Sequence, residues 1–227
     1  MMSIKPLAKK QLTALFIGNS FTARNDFPAL IASLAESRSR TFISQSIIAG
    51  GASLRAHWNA GQAEKVIRDG RFDCVVLQEQ STLPVKNANR THENVRLFHD
   101  VIRDAGSQTV LYMTWARQHS PENQQAISDA YTSIGKELGA IVVPVGTAWQ
   151  RFLSRHDQPV LFDKDGSHPS LAGSYLAACV FYTTLFGDSP VEINIDVLGL
   201  DGKARAMIQK AAWQSNKAGT KTSRSKN

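Results

Sequence analysis

The stretch Leu12-Thr13-Ala14-Leu15-Phe16-Ile17-Gly18-Asn19-Ser20-Phe21-Thr22 decides how the rest of the chain is read. Its first half is apolar almost without interruption, lacks the alternation of a half-wetted strand, and stops at Gly18. That is the pattern of a short strand buried on both faces, as parallel sheets require. Ser20 then falls just past the strand end, on a turn that glycine permits, with its hydroxyl at the edge of the expected sheet.

Outward from this stretch the same alternation recurs. Residues 41–48 are β-rich and close at Ala49-Gly50-Gly51, residues 72–77 repeat the buried type, and residues 109–113 and 141–143 supply a fourth and a fifth strand. Segments of helical period separate them. Residues 27–36 carry Leu30, Ile31 and Leu34 on one face behind Asp26 as N-cap, and residues 62–69 are stopped by Gly70. Residues 91–105 place Val95, Phe98, Val101 and Ile102 at helical spacing before Gly106, and residues 121–138 start on Pro121 with Ser120 as N-cap. The segment 170–186 is apolar nearly all round, which predicts a buried helix. Strands alternating with helices pair in parallel through right-handed crossovers, so the chain is expected to form a flavodoxin-like α/β/α sandwich with about five parallel strands. Function in such sheets collects at the carboxyl ends of the strands. The segments to inspect are therefore those after Ile17, Ile48, Leu77 and Met113, and the loop before Ser170.

The composition bounds the rest. A chain of 227 residues that is 42% hydrophobic buries a core unaided, which excludes disorder as its overall state. No stretch approaches the roughly 20 apolar residues of a membrane helix. Lys5, Lys9 and Lys10 precede an apolar run, but the run is short and lacks a small-residue cleavage site, so it reads as a strand and not as a leader. A cytoplasmic location is expected. Cys74 and Cys179 each sit inside an apolar run and read as core thiols. His92, His99, His119 and His156 have no ligand spacing, so no metal is expected. The formal charge of +7 comes from the ends: Lys5, Lys9 and Lys10 on one side, Lys217, Lys221, Arg224 and Lys226 on the other, with no acid in either segment. Residues 11–216 are thus formally neutral and form the expected domain, with 1–10 and 217–227 as flexible basic ends. Neither nucleic acid nor a membrane is an expected partner.

The turn after the first strand matches neither GxxxxGK[ST] nor GxGxxG, and Thr22 breaks the GxSxG elbow. A second motif lies near the other end of the chain, Asp165-Gly166-Ser167-His168-Pro169-Ser170. A serine nucleophile needs a base to take its proton, and that imidazole needs an acceptor to fix its tautomer. His168 and Asp165 meet both needs from one loop. Gly50-Gly51 can aim a backbone N–H at a substrate carbonyl, and Gln78 or Gln80, in Gln78-Glu79-Gln80-Ser81, can offer a side-chain amide. Glu79 reads as a solvated loop carboxylate. His57-Trp58 and Trp115-Ala116-Arg117 fall near the same edge, and Trp115 and Arg117 are expected to wall a substrate cleft.

Serine at the first strand end, Gly-Gly at the second, an amide at the third and DxxH before the last strongly apolar helix form an order that resembles the SGNH hydrolases, the GDSL-like esterases. The resemblance covers residues 15–187. It implies Ser20 as nucleophile, Gly51 as backbone oxyanion donor beside the Ser20 N–H, Asp165 as orienting acid and His168 as base. Two blocks depart from the family pattern. Asn19 replaces the usual Asp of G-D-S, and Gln78-Glu79-Gln80-Ser81 replaces G-x-N-D, which removes the family's oxyanion asparagine. Gln80 is the expected substitute, with Gln78 second. The phrases Leu15–Thr22, 76–81 and 165–170 also look like a less-studied bacterial branch of SGNH-like proteins. The activity implied is hydrolysis of a short-chain ester, acetyl among the acyl groups, on a small molecule or carbohydrate, without metal or organic cofactor. The rival expectation is a non-catalytic protein that binds a small ligand or carbohydrate on the same scaffold.

Overall fold

The structure, a computed structural model, describes residues 6–197 and 199–221. Most of the two basic ends, 1–5 and 222–227, lies outside the described residues.

Strand β1 (Gln11–Gly18) runs into the single turn α1 (Ser20–Ala23), then α2 (Phe27–Glu36) and β2 (Thr41–Ile48). Helices α3 (Leu54–Ala60) and α4 (Gln62–Asp69) lead to β3 (Cys74–Leu77), and α5 (Leu83–Lys86) and α6 (Ala88–Asp104) lead to β4 (Gln108–Tyr112). Helix α7 (Gln124–Leu138) leads to β5 (Ile141–Val143), and α8 (Val145–Leu153), α9 (Leu171–Phe186) and α10 (Gly202–Lys221) complete the described chain. Among the described residues no helix is long and apolar enough to cross a membrane.

All five strands are parallel, in the order β2-β1-β3-β4-β5. This is the expected flavodoxin-like sandwich. Successive side chains of β1 go to opposite faces, as strand geometry dictates. Leu12, Ala14 and Phe16 join the core under α2, α8, α9 and α10, whereas Leu15 and Ile17 join the core under α3, α4, α6 and α7. Helix α9 packs against α2, α8 and α10, and all of its residues except Leu171 and Thr184 are buried. That explains its lack of a polar face.

The topology fixes where the site lies. The chain leaves β1 for β2 on one side and returns to β3 on the other, so the strand order reverses between β1 and β3, where open parallel sheets form a crevice. Gly18 is paired with Ile48 and Ile17 with Leu77, so β1, β2 and β3 end level. The segments carrying Ser20, Gly51 and Gln80 therefore leave the sheet side by side.

Two expected caps are corrected. Asp26 has left-handed backbone angles (φ 47°, ψ 49°) and makes no capping bond, because the chain reverses through Asn25 and Asp26 between α1 and α2. Ser120 does not cap either, since 121–123 form a separate 3-10 turn before α7 begins. At α9 Ser170 is the N-cap: its hydroxyl accepts from the Gly173 N–H at 3.2 Å.

Candidate active site

The turn after β1 is held from below by Gln78. Its Oε1 accepts from the Asn19 N–H at 2.8 Å and from the Thr22 hydroxyl at 3.1 Å. Such an approach needs a residue without a side chain at position 18: a Cβ on Gly18 would lie 2.6 Å from Gln78 Oε1 and 2.8 Å from Thr22 Oγ1. Asn19 acts through both ends of its amide. Its Oδ1 caps α1 by accepting from the Phe21 N–H at 3.1 Å, and its Nδ2 donates to the Ala52 carbonyl at 3.0 Å. The second bond ties the serine turn to the Gly50-Gly51 turn, and a carboxylate at position 19 cannot donate it. His57, buried, donates from Nε2 to the Gly18 carbonyl at 2.8 Å, so it supports the same turn instead of walling a cleft.

The loop before α9 brings its histidine to this turn. Ser20 Oγ lies 2.8 Å from His168 Nε2, and His168 Nδ1 lies 2.5 Å from Asp165 Oδ2. An ionised carboxylate only accepts, so Nδ1 carries the imidazole proton and Nε2 is left to accept from the serine hydroxyl. Asp165 Oδ1 also accepts the N–H groups of Ser167 and His168, each at 2.9 Å. The bond from the His168 side chain, and then these two backbone bonds, hold the Asp165 carboxyl well below the usual carboxylate range. Gly166 makes the tight loop possible: its φ is +65°, and a Cβ there would lie 2.9 Å from His119 Nε2.

An aromatic stack backs the histidine. The Phe21 ring centroid is 5.3 Å from that of His168 and 5.0 Å from that of Trp115, which stacks on Trp149 at 4.0 Å. Trp115 Nε1 donates to the Ser167 carbonyl at 3.0 Å, and the Gln118 N–H donates to the Gly166 carbonyl at 2.9 Å. Asn25 Nδ2 donates to the Pro169 carbonyl and to Ser174 Oγ, which ties the segment after α1 to the histidine loop. Trp115 is thus corrected from cleft wall to buried support, because it is only 1% exposed and its polar atom is turned into the loop. Arg117 is exposed beside it.

Three donors on these level strand-end segments have no hydrogen-bond partner among the described residues: the N–H of Ser20, the N–H of Gly51 and Nε2 of Gln80. Gln80 Oε1 accepts from the Thr82 N–H, the Thr82 hydroxyl and the Leu83 N–H at 2.9, 3.0 and 3.1 Å, which fixes the oxygen end and leaves the NH2 end free. Gly51 and Gln80 line one cleft. Gln78, the second choice, is corrected: it is 1% exposed, and its Nε2 donates to the Glu79 carbonyl at 2.6 Å, so its amide serves the turn.

Glu79 also differs from expectation. It is fully buried, and its carboxylate accepts from the Leu54 N–H at 3.0 Å, the Gln80 N–H at 2.7 Å and Asn94 Nδ2 at 2.8 Å. One carboxylate thereby fixes the start of α3, the backbone of Gln80 and a side chain of α6. Acid-to-backbone pairing across elements leaves no local sequence signal. Among the described residues no cluster of three His, Cys, Asp or Glu is placed to hold a metal, and burial pushes both cysteine thiols up.

No family model matches the sequence, and no curated protein matches it significantly. Solved structures do. A DUF4886 family protein from Bacteroides uniformis is 21% identical and superimposes with a TM-score of 0.76 over 91% of this chain and 95% of its own. A candidate SGNH hydrolase from Slackia heliotrinireducens is 25% identical, with a TM-score of 0.67 over 77% of this chain and 99% of its own. A variant of an acetyl-xylooligosaccharide esterase from Geobacillus is 16% identical, with a TM-score of 0.56 over 82% of this chain and 97% of its own. The chain has the SGNH-hydrolase fold.

Proposed function

We propose that the protein is a serine-dependent ester hydrolase that removes a short acyl group, acetyl being the simplest, from a small-molecule or carbohydrate ester. The observation that carries this reading is the continuous contact Ser20 Oγ–His168 Nε2–Asp165, at 2.8 and 2.5 Å. His168 takes the serine proton as Oγ attacks the ester carbonyl, and the ester C–O bond breaks as the imidazolium protonates the leaving alcohol. Asp165 stays ionised and stabilises that imidazolium. The N–H groups of Ser20 and Gly51 and the Gln80 amide receive the oxyanion. Water, deprotonated by His168, then releases the acid from the acyl-serine. Each protein group acts through a proton or a hydrogen bond, so the scheme needs no metal or organic cofactor. The carbohydrate preference draws support from the acetyl-xylooligosaccharide esterase that shares the fold. The two buried free thiols suit a reducing compartment such as the cytoplasm.

The test is hydrolysis of p-nitrophenyl acetate. Ser20→Ala and His168→Ala each lower kcat by about 10⁴-fold or more if the triad operates. Wild-type activity equal to that of Ser20→Ala sinks the proposal and leaves a binding protein on this scaffold.

A further inference from the structure

Beyond Gly51 and Gln80 the sheet edge opens into a cleft of about 540 Å3 whose far wall includes Arg55, Leu83, Arg90 and Asn94. These residues belong to α3, α5 and α6, whereas His168 lies before α9 on the opposite helix layer. Ser20, after β1, meets His168, while Gly51 and Gln80, after the neighbouring strands β2 and β3, line the cleft.

The cleft wall is organised from behind. Asn94 is fully buried, and its Nδ2 faces the Glu79 carboxylate, so its Oδ1 is left to face the cleft and accepts from Arg55 Nε at 3.0 Å. Arg90 Nε and Arg55 approach the same carboxylate, Glu93, at 3.7 and 3.9 Å, which is ionic contact without a hydrogen bond. Two guanidinium groups share one surface carboxylate, and apart from the Asn94 bond their N–H forks have no hydrogen-bond partner among the described residues. Glu79 lies behind the wall, occupied by its three N–H donors. Guanidinium forks match carboxylates in plane and spacing.

We propose that this cleft binds a carboxylate at the far end of the substrate's acyl chain, through Arg55 and Arg90. The inference rests on the serine-hydrolase reading: His168 protonates the leaving alcohol from its own side, so the acyl chain is the part directed away from it. The substrate class is a half-ester of a short dicarboxylic acid. Ser20 Oγ forms the new ester bond as the alcohol leaves with the serine proton, and water then releases the dicarboxylate and one proton.

The experiment compares kcat/KM for mono-p-nitrophenyl glutarate and p-nitrophenyl valerate, which share chain length and leaving group. Wild-type protein at low salt should prefer the anionic ester by about tenfold or more, and Arg55→Met or Arg90→Met should each lower that ratio about tenfold, as loss of a charge-assisted hydrogen bond implies. A wild-type ratio near one, or a ratio that neither substitution moves, overturns the proposal. If neither ester is hydrolysed, the hydrolase reading fails but the cleft is still tested, by titrating glutarate into Ser20→Ala protein in a calorimeter. Binding weakened about tenfold by either arginine substitution supports the site. No glutarate binding, or binding indifferent to both arginines, overturns it.

Discussion

Glu79→Gln offers a sharp perturbation because it keeps the shape and changes only one acceptor to a donor. The wild-type carboxylate faces three donors, the N–H groups of Leu54 and Gln80 on Oε1 and Asn94 Nδ2 on Oε2. With the new amide oxygen kept toward the backbone, its NH2 points at the Asn94 NH2. Flipping Asn94 relieves that clash but turns its NH2 toward Arg55 Nε, another donor. One donor-to-donor contact therefore persists as long as Arg55 keeps its place: Glu79 and Asn94 are fully buried, and the Arg55 contact is partly so. Losing one hydrogen bond to a charged acceptor and stranding its donor costs about 2–4 kcal/mol. At roughly 2–4 °C per kcal/mol for a chain of this length, Tm falls by about 5–15 °C. The Gln80 backbone, held at 2.7 Å in the wild type, loosens with it. A misplaced oxyanion donor lowers kcat by up to about 10²-fold. Thermal unfolding and steady-state kinetics well below Tm read the two effects separately. A Tm within about 1 °C of wild type, with kcat unchanged, would show that the buried carboxylate organises nothing.

Four further outcomes follow from the same geometry. Gln80→Ala should lower kcat for p-nitrophenyl acetate by about 10²–10³-fold with little change in KM, and unchanged kcat would move the oxyanion role elsewhere. Gly18→Ala puts a Cβ 2.6 Å from Gln78 Oε1, so unfolding experiments should show a loss of about 1–3 kcal/mol together with reduced turnover. Trp115→Phe preserves the stack on Trp149 but removes the bond to the Ser167 carbonyl, which should cost about 1 kcal/mol in denaturant titrations and lower kcat more than it raises KM. Because Asp165 is held well below the carboxylate range, it stays ionised while ordinary carboxylates protonate on acidification. Asp165 should then add no proton uptake to the acid limb of kcat/KM, and a proton taken up by this carboxyl between about pH 3 and 5 would contradict the assignment.

Much of the framework was legible in the sequence because strong local patterns survived into the fold. The five strands, the buried α9 and the boundaries of α2 and β2 follow from apolar period and from the residues that stop it. Ser20, Asp165 and His168 stood out because a serine past a strand end and a DxxH before a helix occupy turn positions where side chains face outward. The short helices α3 and α5 did not stand out, since each is a turn or two long and set by the loops beside it. Helix α8 follows Pro144 with Val145-Gly146, poor helix formers, and is stabilised by burial of Ala148, Trp149 and Phe152. The roles of Gln78, Glu79, Asn19 and Trp115 depend on bonds between segments that only the assembled sheet brings together. Strand β3 ends at Leu77, and the chain beyond it is no longer a strand. That break sends Gln78 beneath the serine turn and leaves Gln80 at the cleft.

The proposed mechanism requires Ser20 to be an activated nucleophile. Treating the protein with a fluorophosphonate and locating the adduct by peptide mass spectrometry measures this without knowing the substrate. A single stoichiometric adduct on Ser20, slowed strongly in His168→Ala and absent in Ser20→Ala, is the predicted result. No labelling of Ser20, or labelling indifferent to His168, would contradict it.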